Sequence, residues 1–550
     1  MKLRISILMF FIIIFSFKNH SQSNGFEVLK NLELIDEIFE NLELYFVDDP
    51  QTGKIAKTGI DAMLNELDPY TVFYHESSIE DYRMMTTGQY GGIGSLIRTV
   101  GDYTIIAEPY ENSPSQKNGL KAGDKILFID GNDMKQKKIS DVSSALKGPK
   151  GSEVKITIMR DGVGEKDISL TRAEIKIPDV PYSGVISDSL GYIKLNSFTN
   201  SAHEEVKKSF LELKQKGINK LIFDLRGNGG GLLLESIKIV NLFVPENKLV
   251  VRTKGRITSE NKEYKTWVKP DDVDIPIVVL IDGNSASASE IVSGSLQDMD
   301  RAVVVGTTSY GKGLVQRTYD LKYGCKVKLT VAKYYTPSGR CVQRLEYYNN
   351  SSNKTPEEIP DSLITKYKTV NGREVIDGRG IEPDVNIPLS KLKKITQELL
   401  VSNMIFDYAT RYNMEHQSIL NPKEYGLTDA EYDQFITYVS ENGFEWKNET
   451  IEFLSKINKE LDDYDIPDSL KMNLKALKLK LVSNYSLKGN NKKELLKHKE
   501  EIKEVLENEI VSRYYYQEGR VINSFKYDPA VKEAIKILND NSRYNKILNN

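Results

Sequence analysis

Cysteine and histidine are scarce in this chain of 550 residues, and each scarcity removes a class of function. The two cysteines, Cys325 and Cys341, are too few for a disulfide framework. No Cys/His cluster has metal-ligand spacing, so neither a metal nor any other cofactor is expected. The turn residues Thr336-Pro337-Ser338-Gly339 predict a hairpin pairing Tyr335 with Arg340. Cys341 would then face Tyr334, away from Cys325, leaving two free thiols. Beyond the N-terminal segment only His75, His203, His416 and His498 remain, none in a glycine-rich turn. That shortage weakens any Ser-His-Asp triad. Charge of one sign is missing too: 75 basic and 78 acidic residues leave a net charge of −3. A dedicated nucleic-acid binder would carry a basic excess, so no nucleic-acid partner is expected.

The N-terminus carries a long apolar run. Lys2 and Arg4 precede Ile5 to Phe17, and polar residues 18–23 follow. This is the layout of a secretory signal, assigned to residues 1–23. As a helix the run is roughly 20 Å long at ~1.5 Å per residue. A bilayer core needs ~30 Å, so a stable span is not expected. The protein is therefore expected to be exported, to the periplasm. Membrane contact, at the inner membrane, would follow only if the segment stays uncleaved. No cysteine follows the run to take a lipid.

The remaining texture predicts a multidomain α/β chain. Residues 24–85 read as helical, with Leu32, Leu34, Ile35, Ile38 and Phe39 at helical spacing and a second helix near Ile55 to Leu67. Residues 86–173 are glycine-punctuated and β-rich, with a hairpin-type turn at Asp130-Gly131. Residues 174–390 alternate strand and helix, which predicts a layered core with a largely parallel sheet. Within it, residues 346–375 read as an insertion loop. Residues 391–550 predict an all-α domain, with a capping box at Thr428 to Glu431 and a helical face at Ile451, Leu454, Ile457 and Leu461.

Three strand-to-helix or strand-end segments hold the candidate chemistry. In Ile281 to Ile291 an apolar strand gives way to small residues and then a helix. A serine there is held out of the packed core, beside N–H groups that can stabilise an oxyanion. Each of Ser285, Ser287 and Ser289, taken alone, also reads as a helix cap. In Val305 to Gln316, Lys312 stands between Gly311 and Gly313. To act as a base, a lysine must fall from ~10.4 to about 7, roughly 4 kcal/mol of differential destabilisation, which burial can supply. Gln316 lies four residues on and can hold the lysine by hydrogen bond. The Gly-x4-Gly-Lys-Ser/Thr spacing of a phosphate loop fails here, because Gly313 follows the lysine. In Phe223 to Leu232 a strand runs into a glycine string, a candidate anion nest, with Asp224 and Arg226 read as structural.

Taken in order, these segments resemble the C-terminal processing, or tail-specific, serine peptidases of family S41, over roughly residues 30–390. The resemblance is carried by Leu67-Asp68-Pro69, Gly91-Gly92-Ile93-Gly94, Ser113 to Asp124, Asp224 to Gly231, Ser285 to Glu290, Gly311 to Gln316, Tyr335 to Arg340 and Gly378 to Val385. Gly229 stands where the family usually has proline. The resemblance implies a PDZ domain over residues 86–173 and a peptidase core over 174–390. It makes Ser287 the nucleophile, Lys312 the base and Gln316 its orienting partner, with Ala288 and Gly230 as oxyanion donors. Gly92, Ile93, Gly94 and Ser95 would receive a substrate carboxylate. The implied substrates are proteins with accessible, apolar C-termini. The C-terminal helical domain leaves room for an adaptor or for self-association. Two rivals are a non-catalytic PDZ scaffold or ligand-binding relative of the same fold, and a phosphate binder. Retention of Ser287, Lys312 and Gln316 together argues against the scaffold. Mass spectrometry of the mature N-terminus tests the signal: removal of roughly residues 1–23 is expected, and Met1 intact would count against it.

Overall fold

The computed structural model describes residues 22–348, 356–388, 391–444, 453, 456, 457, 467–484 and 487–549. Residues 1–21 of the assigned signal segment, and Ile451, Leu454 and Leu461 of the expected helical face, lie outside the described residues. Among the described residues no helix is long and apolar enough to cross a membrane. The chain divides into two units. The first comprises Met1–Ser77, Gln316–Thr330 and Tyr347–Thr355; the second comprises Ser78–Val315, Val331–Glu346 and Pro356–Asn550.

In the first unit the apolar spacing produces helices Gln22–Tyr45 and Thr52–Asn65. The Leu67-Asp68-Pro69 segment then forms a tight turn. The Asp68 carboxylate accepts the N–H groups of Tyr70 and Thr71, both at 2.8 Å, and the Thr71 hydroxyl at 3.0 Å. Strand Val72–Tyr74 follows and runs antiparallel to Lys326–Lys328.

The second unit opens with the β-rich region. Its sheet has the order Ser95–Val100, Tyr103–Pro109, Lys125–Ile129, Glu153–Arg160, Gly164–Thr171. Period-two alternation points Val154, Ile156 and Ile158 inward, against Val142 and Leu146 of helix Ile139–Leu146. Asp130 and Gly131 both take positive φ, +48° and +78°, as a two-residue hairpin turn requires.

The core sheet has six strands in the order Tyr182–Ser187, Leu190–Lys194, Lys220–Asp224, Ile277–Ile281, Val303–Gly306, Val385–Asn386. The first pair is antiparallel and the others are parallel. Such strands are apolar on both faces and need two covering layers. Phe223, Val279, Ile281 and Val304 face helices Ala202–Gln215, Leu233–Asn241 and Ala288–Asp298. Ile222, Val278, Leu280, Val303 and Val305 face the other way. That second face is covered from the far end of the chain. Helix Pro529–Asn539 sets Val531, Ala534 and Ile537 against it, and helix Asn541–Leu548 adds Tyr544. Asp528 caps the first of these helices through Ala530 and Val531, and its carboxylate also meets Arg226 at 2.7 Å.

One expectation gains detail and another changes here. The described part of residues 391–550 is helical, as expected, but it serves two cores. Helices from Lys394–Val401 to Lys499–Ser524 share a core containing Tyr432, Phe435, Leu506 and Ile510, whereas the last two belong to the sheet. The Thr336–Gly339 turn forms, but residues 341–344 do not return along the strand Lys326–Tyr335. Buried Arg340 bonds Asp298 and Gln297, both at 2.8 Å, and draws the chain toward the Gly311–Gly313 backbone. Both cysteines are free. Within the expected insertion loop, the described residues include a paired segment, Lys366–Lys368 against Glu374–Ile376. The cap at Thr428 and Glu431 forms as the spacing predicts.

Because the last helices complete the core, Ile537→Ala is expected to destabilise the core sheet by about 2–4 kcal/mol through a cavity. Urea unfolding followed by near-ultraviolet circular dichroism checks this.

Candidate active site

The strand Ile277–Ile281 ends at Asp282, whose carboxylate accepts the N–H groups of Asn284 and Ser285 and so folds the small-residue turn. Ser285 and Ser289 are spoken for: the first donates to the Leu225 carbonyl and the second to the Asn228 carbonyl, both at 2.9 Å. Both are fully buried. Ser287 differs. It is half-buried, opens helix Ala288–Asp298, and holds φ +57°, ψ −111°. A non-glycine residue there stores strain of order 1–3 kcal/mol and persists only if its surroundings enforce it.

The enforcing group is Glu290. Its carboxylate is fully buried. Oε2 accepts the backbone N–H of Ser287 at 2.7 Å and that of Lys312 at 2.9 Å. Oε1 accepts the Ser309 hydroxyl at 2.5 Å and the Gly311 N–H at 2.7 Å. One carboxylate thus joins the turn of Ser287 to the turn of Lys312. Burial pushes its pKa above the ordinary carboxylate range, while the donors from Ser309, Lys312, Ser287 and Gly311 oppose that rise.

Lys312 is half-buried between two buried glycines. Gly311 has φ +87°, and a Cβ there would fall 2.6 Å from the Arg344 Cβ. A Cβ on Gly313 would fall 2.7 Å from the Gln343 nitrogen. The loop is therefore pressed against residues 343–344, and the Gly311 carbonyl accepts the Arg344 N–H at 3.0 Å. Gln316 lies in the first unit, where its amide donates to the Thr330 hydroxyl at 3.3 Å.

The glycine string packs directly against the serine turn. A Cβ on Gly230 would lie 2.7 Å from the Ala286 carbonyl oxygen and 2.9 Å from both the Ala288 nitrogen and the Ser287 Cβ. Gly230 and Ala288 are thus brought together. Their N–H groups differ: that of Gly230 donates to Asn228 Oδ1 at 2.8 Å, whereas among the described residues that of Ala288 meets no acceptor. Asn228 also accepts the Ala286 N–H on its carbonyl at 3.0 Å and donates its amide to Leu195 at 2.9 Å. Asp224 and Arg226 lie at the strand end as a buried ion pair at 2.7 Å. Burial alone would raise the Asp224 carboxyl, but the charges of Arg226 and Lys194 reverse this and hold it well below the usual range.

The described histidines are engaged elsewhere. His75 meets Ser77, His203 meets Glu204, His416 stacks on Tyr412, and His498 lies 3.5 Å from Glu494.

In the β-rich region Gly92 pairs with Ala173, and Ile93 is buried with its carbonyl accepting from Ser115. Gly94 has φ +75° and a Cβ on it would strike that of Ser113 at 2.4 Å. Among the described residues the N–H groups of Ile93 and Gly94 meet no acceptor, and the buried Ser95 hydroxyl has no partner. The four residues form one turn leading into the edge strand Ser95–Val100.

Profiles of three known families match the chain: "Peptidase family S41" over residues 189–347, "PDZ domain" over 105–160, and "Probable PDZ-protease, C-terminal helical domain" over 395–538. The carboxy-terminal-processing protease of Bartonella bacilliformis is 32% identical over 352 residues, which is 63% of this chain and 79% of that protein. The chain belongs to peptidase family S41. A probable CtpA-like serine protease of Staphylococcus aureus is 31% identical over 62% of this chain and 68% of its own length. Among solved structures, a photosystem II D1 C-terminal processing protease is 26% identical, covering 64% of this chain and 92% of that one, with a TM-score of 0.36. This S41 chain carries a PDZ domain ahead of its peptidase core and a helical region behind it.

Glu290 was open to sequence reasoning as the fourth residue of a Ser-x-x-Glu capping box. Its reach to Ser309, Gly311 and Lys312 had no local signal. Glu290→Gln places an amide against two of the four donors. The expected loss is about 3 kcal/mol, larger than for Ser309→Ala, as measured by urea unfolding.

Proposed function

We propose that this S41 protein is an exported serine endopeptidase that cleaves proteins near or from their C-termini through a Ser287–Lys312 dyad. The observation that carries the reading is the shared Glu290 oxygen, which fixes the main chains of a strained serine and a glycine-flanked lysine to each other. A scaffold has no use for that arrangement. The names of the relatives from Bartonella bacilliformis and Staphylococcus aureus agree with the reading.

In the proposed reaction Lys312, as the neutral amine, accepts the proton of the Ser287 hydroxyl while Oγ attacks the scissile carbonyl carbon. The helix N-terminus beginning at Ala288 supplies an N–H group and a positive dipole end for the oxyanion. Gly230 contributes the second donor once its N–H leaves Asn228. Collapse of the intermediate breaks the C–N bond, and the lysine ammonium returns the proton to the leaving amine. An ester on Ser287 remains. Water then attacks it, giving its proton to Lys312, and the second collapse releases a carboxylic acid and restores the serine.

Selection is assigned to the PDZ domain. A substrate C-terminus would add as a strand beside Ser95–Val100, the edge strand of its sheet. The N–H groups of Ile93 and Gly94 and the Ser95 hydroxyl would receive its carboxylate.

Cleavage of an unfolded reporter with an apolar C-terminus tests both parts. Ser287→Ala and Lys312→Ala are each expected to lower kcat by at least about 10³-fold. Equal activity in all three proteins would sink the dyad. Amidating the reporter's terminal carboxylate should raise KM; unchanged kinetics would remove the PDZ nest from the reading.

A further inference from the structure

The glycine string that packs on the serine turn is loose by composition. Gly227, Gly229, Gly230 and Gly231 have no Cβ to restrict them, so this backbone loses more freedom on ordering than any other. Its place beside Ser287 therefore has to be set by anchors at its ends. At the far end the Leu232 N–H donates to the Phe198 carbonyl at 2.8 Å. At the near end the anchor is Arg226.

Every polar group of Arg226 is engaged. Its backbone N–H and its Nε donate to Asp224 Oδ1 at 2.9 and 3.0 Å, and one terminal nitrogen donates to Asp224 Oδ2 at 2.7 Å. Its carbonyl accepts the Lys194 ammonium at 2.5 Å. The other terminal nitrogen lies 2.7 Å from Asp528 Oδ2. The next N–H, that of Gly227, donates at 3.0 Å to Asp282, the carboxylate that folds the serine turn.

Asp528 stands apart in this set. Lys194, Asp224 and Asp282 lie on strands of the core sheet or directly after one, whereas Asp528 stands between helices Lys499–Ser524 and Pro529–Asn539. It falls in the matched helical region, and Arg226 in the matched peptidase region. Its two oxygens have separate tasks. Oδ1 caps helix Pro529–Asn539, accepting the N–H groups of Ala530 and Val531 at 2.9 and 3.1 Å. A serine would cap as well, so this task needs no charge. Oδ2 meets the guanidinium, and that task does. The side chains of Asp528, Lys194 and Arg226 are 15%, 16% and 18% exposed, so this is not a solvated surface pair of little consequence. Asp224 and Asp528 together balance the two cations. Without Asp528, Arg226 and Lys194 would share one carboxylate, and the guanidinium would be fixed along one edge alone.

We propose that Asp528 is a positioning residue for the oxyanion-binding string. By gripping Arg226 from the helical region it holds residues 227–231, and with them the Gly230 donor, against the Ser287 turn. The inference rests on the peptidase reading. It gives the helical region a share in the reaction besides covering the sheet, and it accounts for a carboxylate at a position where a neutral cap would suffice.

The full chain is tested with the unfolded reporter and with a peptide aldehyde, whose addition to Ser287 Oγ places an oxyanion against the same donors. Asp528→Ser keeps a capping oxygen and removes the grip on Arg226. Its kcat is expected to fall roughly tenfold with KM unchanged, less than the about 10²–10³-fold that follows loss of a whole oxyanion donor. Aldehyde affinity should fall by a similar factor. Ile537→Ala, further along the same helix, should lower the melting temperature and leave kcat at the wild-type value below the transition. Arg226→Lys keeps a cation beside Asp224 but lacks the second edge that reaches Asp528. In that background Asp528→Ser should cost little more, since the two residues act as a unit. Wild-type kcat and aldehyde affinity in Asp528→Ser would overturn the proposal. So would a further tenfold loss in the Arg226→Lys background, or an equal fall in kcat for Ile537→Ala, which would make the effect one of stability. A wild-type chain that neither hydrolyses the reporter nor binds the aldehyde would instead remove the peptidase reading, and the proposal with it.

Discussion

A buried carboxylate accepting four hydrogen bonds holds the candidate active site together. Glu290 lies on the helix that follows the core strand Ile277–Ile281, and three of its four donors come from the loop after the next strand. Burying a charge without partners is prohibitive, so the group is stable only while all four donors are in place. That makes the two turns mutually dependent. If the lysine loop moves, Glu290 is left unsatisfied, and the strained backbone of Ser287 loses the acceptor that fixes it.

The glycines around this carboxylate serve the same geometry. Gly230 touches the serine turn where a methyl group would collide with it, and Gly311 and Gly313 do so against residues 343–344. The site is therefore built from backbone in close contact rather than from side chains reaching across a cleft. Small residues are the condition for that closeness, and the positive φ of Gly230 and Gly311 adds a second demand that only glycine meets cheaply.

Much of this was legible in the sequence because strands, glycine strings and small-residue turns leave local marks. The apolar run Ile277 to Ile281 and the small residues after it mark the serine turn by themselves. Gly311 and Gly313 mark a close backbone approach. What stayed hidden is long-range. A glutamate three residues after a helix-opening serine reads as a local cap, and nothing near it reveals that Lys312 shares its oxygen. The turn at Thr336–Gly339 was readable, but the path after it was set by the buried pairing of Arg340 with Asp298. Likewise, the lysine- and leucine-rich texture of residues 391–550 gives no hint that its last helices pack on the sheet.

Those last helices also fix when the fold can be completed. Five sheet residues from Ile222 to Val305 wait for cover supplied in large part by residues 521–548. A ribosome makes those helices after every strand of the sheet. Until they emerge, the growing chain holds a half-finished sheet with one greasy side bare, whatever the state of the serine turn on its edge. The core is thereby tied to helices made after its last strand, so a product that stops short of them lacks a finished sheet.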